Sequence, residues 1–141
     1  MKKLLTVLFL FFASTLFHDA QVTAQAKEDP IFEEVEKSPS YPGGLKVMSD
    51  FIGENLKYPK IAQKKQVEGT VSVKFVIEKD GSVSNVRVAR SVRASKANQD
   101  AVESLNKEAI RVIKMLKFIP GEQHGKKVRV ATTCPLSFQL M

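Results

Sequence analysis

"GTVSVKFVIEKDGSVSNVRVARSV", residues 69–92, decides the fold. Val71, Val73, Phe75 and Ile77 alternate with Thr70, Ser72, Lys74, Val76 and Glu78. A period of two lays one face of a strand against a core. Asp80-Gly81 supplies a turn that tolerates positive φ, and Val86 and Val88 resume the alternation, so the stretch reads as a β-hairpin.

Working outward, residues 93–117 read as a helix. Leu105, Ala109, Val112, Ile113 and Leu116 form one apolar stripe, with Glu103, Lys107, Arg111 and Lys114 off it. Ser95 could cap a long helix, or Asn106 a shorter one. Pro120-Gly121 stop it, and "MLKFIPGEQHGKKVRV", residues 115–130, is a join with Gly125 closing the turn. From Lys127 onward Val128, Val130, Thr132, Cys134, Leu136, Phe138 and Leu140 alternate with mostly polar residues, giving a third strand. Upstream, "SPSYPGG" at 38–44 marks a turn. "LKVMSDFIGENL" carries Leu45, Met48 and Ile52 at helical spacing beside Phe51, and Pro59 opens a short second helix. The order predicts an α+β domain: a three-stranded antiparallel sheet with two to three helices packed on one face.

The N-terminus points to export. Lys2-Lys3, an apolar run from Leu4 to Phe17, and Ala24-Gln25-Ala26 form the pattern of a cleavable signal peptide, residues 1–26. The apolar run of about 14 residues falls short of the roughly 20 that span a bilayer. An acidic segment, 27–40, precedes the domain at 41–141. Residues 27–37 hold five acids and two lysines, while residues 38–141 carry 18 basic and nine acidic side chains. Such a basic balance suits an anionic partner. Export disfavours nucleic acid and leaves anionic lipid, cell-wall polymer or an acidic peptide.

The candidate chemistry is sparse. Cys134 is the single cysteine, so no internal disulfide can form. Its register places it on the apolar side of the last strand, as a small hydrophobe rather than a reactive thiol. Beyond the signal peptide His124 is the only histidine, too little for a metal site with Cys134 unless several carboxylates join, so no metal or other cofactor is expected. His124 lacks a nucleophile pattern around it, and Gly121 and Gly125 do not open a helix as a phosphate-cradling loop must. It reads as the polar tip of a turn. Glu33, Glu34 and Glu36 read as a solvated arm, or one lying against the domain's basic face. The pairs Lys64-Lys65 and Lys126-Lys127 read as solvated charge. Pro135 inside the last strand suggests that this strand is a sheet edge there. Lys127 and Arg129 could simply protect that edge, or the edge could accept an extended peptide.

The order and spacing resemble the C-terminal domain of the TonB energy-transducer family over about residues 31–140. "PSYPGG", "KYPKIAQKKQVEGTVSVKFVIEKDGSVSNVRV", "LNKEAIRVIKMLKFIPGEQHGKKVRV" and the closing "PLSF" carry the resemblance. Lys57 stands before Tyr-Pro where a glutamine is familiar, and Phe118 where tryptophan is common. The resemblance implies binding rather than catalysis: capture of short extended segments of outer-membrane receptors, or of other envelope proteins, by strand addition. It implicates Tyr58 and Pro59, and the backbone of Val128, Arg129, Val130, Ala131, Thr132 and Thr133. The expected location is the periplasm. With the apolar segment uncleaved, the chain would instead be a short transducer anchored in the inner membrane and facing the periplasm. A secreted hydrolase using Ser and Lys is the remaining alternative. An exposed edge also permits a homodimer.

Overall fold

A computed structural model of the chain describes residues 29–141, and the expected signal peptide lies outside the described residues. The elements are β1 (Ile31–Phe32), α1 (Leu45–Asn55), α2 (Lys60–Lys64), β2 (Gly69–Ile77), β3 (Val83–Arg90), α3 (Gln99–Ile113), β4 (Gly121–Gln123) and β5 (Lys126–Phe138).

The predicted hairpin forms. β2 and β3 are antiparallel, and Val71, Val73, Phe75 and Ile77 are at most 1% exposed. The turn is tied by the Glu78 N–H to Ser82 O (2.8 Å) and by the Ser82 N–H to the Asp80 carboxylate (3.0 Å). Gly81 sits there at φ 87°, and its oxygen accepts from the Phe118 N–H at 2.8 Å. β5 pairs antiparallel with β2 from Val130 to Phe138, with Val71 opposite Leu136 and Val73 opposite Cys134. That register puts the apolar faces of both strands on one side, as the alternation required.

The helices cover that side. α3 supplies Ala101, Val102, Leu105, Ala109, Val112 and Ile113, all buried. It is shorter than the expected 93–117. Residues 96–98 form a 3₁₀ turn, and neither Ser95 nor Asn98 makes a side-chain cap. Gln99 instead donates back to the Ala94 and Ser95 carbonyls. At the other end Met115 and Leu116 bond to Val112 and Ile113, an i→i−3 tightening that ends the helix before residue 117. Pro59 precedes α2 as its extended capping residue. α1 packs Met48, Phe51 and Ile52 on the core only partly, and Leu45, placed on its apolar stripe by spacing, is 79% exposed. Edge-on aromatic pairs close both ends of the core, Tyr41 with Phe118 and Tyr58 with Phe138, each at 5.6 Å.

The sheet corrects the three-stranded expectation. β3, β2 and β5 are antiparallel neighbours, but the order is β1-β5-β2-β3, with β1 parallel to β5 and β4 also paired to β5. β1 has two residues and β4 three, too short for either to show a period. β4 and β5 form a tight hairpin: Gln123 pairs with Lys126, and His124 and Gly125 turn the chain at φ 52° and 74°. Two successive positive φ values suit the twist of flanking strands.

Candidate functional site

β5 is the longest strand, and its two sides differ. Toward β2 it is paired for nine residues. Elsewhere β4 takes Lys126 to Val128, and β1 takes Arg129 and Val130. The final strand is therefore not the last of its sheet, and the expected edge is covered by β1 at Arg129 and Val130. From Ala131 to Phe138 its only described strand neighbour is β2. Pro135 falls in this stretch, where a missing ladder donor is tolerated on the unpaired side.

The implicated residues therefore differ in setting. Val128 lies opposite Gly121, in the β4 hairpin. Val130 is buried and paired on both sides, with Ile77 and Phe32. Ala131, Thr132 and Thr133 are paired only with Val76, Phe75 and Lys74. Arg129 lies opposite Ile31, and its guanidinium holds the Glu78 carboxylate at 2.7 and 3.1 Å. That two-pronged contact keeps the Glu78 carboxyl below the usual range. Arg129 also donates to the Asp29 carbonyl at 2.8 Å.

Tyr58 and Pro59 lie apart from this stretch. The Tyr58 ring packs on Phe138, five positions past Thr133 and so about 17 Å along the strand. Its hydroxyl donates to the Val67 carbonyl, and burial raises its pKa. Tyr58 is thus held by the domain's own packing. An extended segment touching both regions would need to run the length of β5.

Beside the unpaired half of β5 lies a groove of about 480 Å³. Met48, Ile52 and Leu56 form one wall, Cys134, Pro135 and Leu136 the other. Cys134 is 7% exposed and burial raises its thiol pKa, in keeping with a structural cysteine. The other outer strand is less receptive. β3 has Asn85 at φ 50°, and its ladder to β2 is irregular at two places. Such irregularities twist an edge out of register for an incoming strand.

Sequence reasoning missed the acidic segment's role in this geometry. It is laid on the domain, the second of the two readings weighed for it. Asp29 pairs with Lys79, Glu33 approaches Lys74 at 3.9 Å, and Glu36 meets His124 Nδ1 at 3.2 Å. Lys37 and Ser40 exchange backbone bonds with Glu122 and Ile119. The charge contrast between residues 27–37 and the remainder was the available signal. Of the lysine pairs, Lys65 is engaged with Asp100 at 2.8 Å, while Lys126 and Lys127 line a shallow cleft along β1. His124 is the exposed tip of its hairpin.

Among the described residues no three His, Cys, Asp or Glu side chains converge, and no helix is long and apolar enough to cross a membrane. What the geometry offers is a small α+β domain whose most distinctive feature is a long strand with one side covered only by the two residues of β1. The family described as Gram-negative bacterial TonB protein C-terminal matches residues 54–140, and the chain belongs to that family. Two curated relatives, each called Protein TonB, come from Helicobacter pylori strains J99 and 26695. Both are 35% identical over 65 residues, 46% of this chain but only 23% and 22% of theirs. The match thus spans under a quarter of the length of these relatives. Solution structures of the TonB C-terminal domain are similar at lower resemblance. That of H. pylori has 24% identity and a TM-score of 0.45, covering 69% of this chain and 80% of its own. That of Pseudomonas aeruginosa has 26% and 0.43, covering 60% and 77%.

Proposed function

We propose that the domain is a periplasmic binding module that captures extended segments of outer-membrane receptors or other envelope proteins, serving energy-dependent transport across the outer membrane. The captured segment adds as a strand to β5. Its backbone completes the ladder and its alternate side chains enter the groove beside α1. This is binding, not catalysis. One observation carries the reading: β5 is paired over nine residues on the β2 side, while among the described residues its opposite side holds only the two residues of β1. Membership of the TonB C-terminal family supports it. The contact falls first on Ala131, Thr132 and Thr133 and extends toward Pro135 and Leu136. Tyr58 and Pro59 shape the far end.

The test is an amide-shift titration with peptides from the outer-membrane receptors of the same cell. Shifts centred on Ala131 to Thr133 and weakening toward Tyr58 are expected. If Val128 to Thr133 and Tyr58 stay unmoved at millimolar peptide, the proposal fails.

A further inference from the structure

The acidic segment occupies the strand edge at Arg129 and Val130, directly next to the stretch that a partner would use. Ile31 and Phe32 lie parallel to Arg129 and Val130 as a two-residue strand. Cationic groups surround this contact. Asp29 is paired with Lys79, its carbonyl accepts from Arg129, and Glu33 faces Lys74 from the other end of the strand. The Glu36 N–H then donates to Gln123 Oε1 at 2.8 Å, and the backbone of Lys37 and Ser40 fastens the chain to Glu122 and Ile119.

The two parts of this attachment differ in strength. Residues 37–40 are held by four backbone hydrogen bonds and rest against Gly121, where Lys37 O and Pro39 crowd the glycine. Residues 29–33 have two ladder positions, and the Asp29 and Glu33 side chains are 53% and 75% exposed. Exposed ion pairs hold weakly and are screened by salt. Ile31 itself is 43% exposed. A fixed anchor followed by a lightly held strand has the construction of a tethered competitor.

We propose that residues 29–33 are an intramolecular plug on the β5 edge, limiting the access of any other strand to Arg129 and Val130. An incoming segment must displace Ile31 and Phe32 while the anchor at residues 37–40 stays in place. Apparent affinity is then the intrinsic affinity multiplied by the unplugged fraction. The inference rests on strand addition at β5, but it is testable with the chain's own sequence as the probe.

The experiment compares the full-length chain with its Ile31→Pro/Phe32→Pro variant, which removes the N–H that β1 can offer to β5 whichever of the two residues faces it. A D29N/E33Q variant keeps the backbone and drops the ion pairs. The probe is a synthetic peptide with the sequence of residues 29–36, added in trans and followed by amide shifts. The proline variant is expected to bind this peptide about tenfold more tightly than the unaltered chain, with shifts at Arg129 and Val130. D29N/E33Q should fall between, and raised salt should move the unaltered chain toward it. The Arg129 amide, which faces β1, should exchange faster in the proline variant without peptide. Equal affinity in all chains, or unchanged exchange at Arg129, overturns the plug. If the self-peptide behaves as expected while receptor peptides bind neither chain, the plug stands and the receptor proposal falls.

Discussion

Gly81→Ala tests the junction that aims both the β4 hairpin and the acidic segment. An added Cβ would lie 2.0 Å from the Phe118 carbonyl oxygen, a backbone atom that cannot rotate aside. The φ of +87° is itself unfavourable for an L-residue, costing about 1 kcal/mol. Relieving the overlap requires the two chains to part by roughly 1 Å, since ordinary contact begins near 3 Å. That separation lengthens the 2.8 Å bond from the Phe118 N–H to Gly81 O, worth about 1 kcal/mol. It also unseats Phe118, which is 8% exposed and packed between Phe75 and Tyr41. Removing a buried Phe outright costs about 3–5 kcal/mol, and a partial displacement takes a fraction of that. The expected total is about 3–4 kcal/mol, among the larger effects of single substitutions.

Gly125→Ala is the control. Its φ is +74°, but nothing lies within 4 Å of the added Cβ, so only the backbone term of about 1 kcal/mol remains. Urea unfolding followed by far-ultraviolet circular dichroism gives both numbers, since the chain has no tryptophan. Amide exchange gives the local consequence. Ile119 and Ser40 exchange backbone bonds just beyond Phe118, and their protection should fall in Gly81→Ala but not in Gly125→Ala. Equal destabilisation by the two substitutions would refute the reasoning, because it would leave φ as the only operative cost.

Leu105→Ala empties a fully buried site under the sheet and should lower the unfolding free energy by about 3 kcal/mol in the same assay. Tyr58→Phe removes the hydroxyl bond to Val67 O and should cost about 1 kcal/mol, whereas a Tyr58 serving only a partner would show no change. The depressed Glu78 carboxyl contributes stability that is present above its ordinary pKa of 4.5 and is lost as pH falls through its lower folded value. In Arg129→Gln the Glu78 midpoint, read by carbon-13 titration, should return upward and that acid-side loss should shrink. Cys134 should resist alkylation at neutral pH in the native protein and react once urea unfolds it, because burial both shields the thiol and raises its pKa.

The legible parts of the fold are those where a period repeats. Four apolar positions alternate through β2 and five through β5, and the observed register joins them face to face. α3 announced its stripe in the same way, although its ends moved inward. Nothing in the side chains of residues 93–98 caps a helix, and a Gln99 side chain reaching backward is not a capping pattern. β4 was hidden inside a segment that reads as punctuation. Pro120-Gly121 stops the helix and Gly125 closes the turn as their residue types require, but nothing in Gly121-Glu122-Gln123 shows that these residues pair with Lys126 to Val128. Gly125 is a turn signal, and His124 stands as the polar tip the sequence reading expects, at a φ of 52° that histidine adopts more readily than most side chains.

The docking of the acidic segment was legible by composition and illegible by position. Five acids among residues 27–37, set against an excess of nine positive charges in the rest, say that the two should attract. They do not say where. Field attraction is long in range and indifferent to register, so charge could bring the segment to any basic face. What fixes it on β5 is backbone: Ser40 to Ile119, Lys37 to Glu122, then Ile31 and Phe32 along Arg129 and Val130. Backbone pairing carries no side-chain code, and two residues cannot display alternation. The same absence of code makes the edge generally receptive. A strand that accepts Ile31 and Phe32 through main-chain groups would accept another segment of similar shape. The surrounding cations Lys74, Lys79 and Arg129 then choose among such segments by charge. Selectivity of this kind weakens as salt rises, whereas the ladder hydrogen bonds do not, so the salt dependence of binding separates the two contributions.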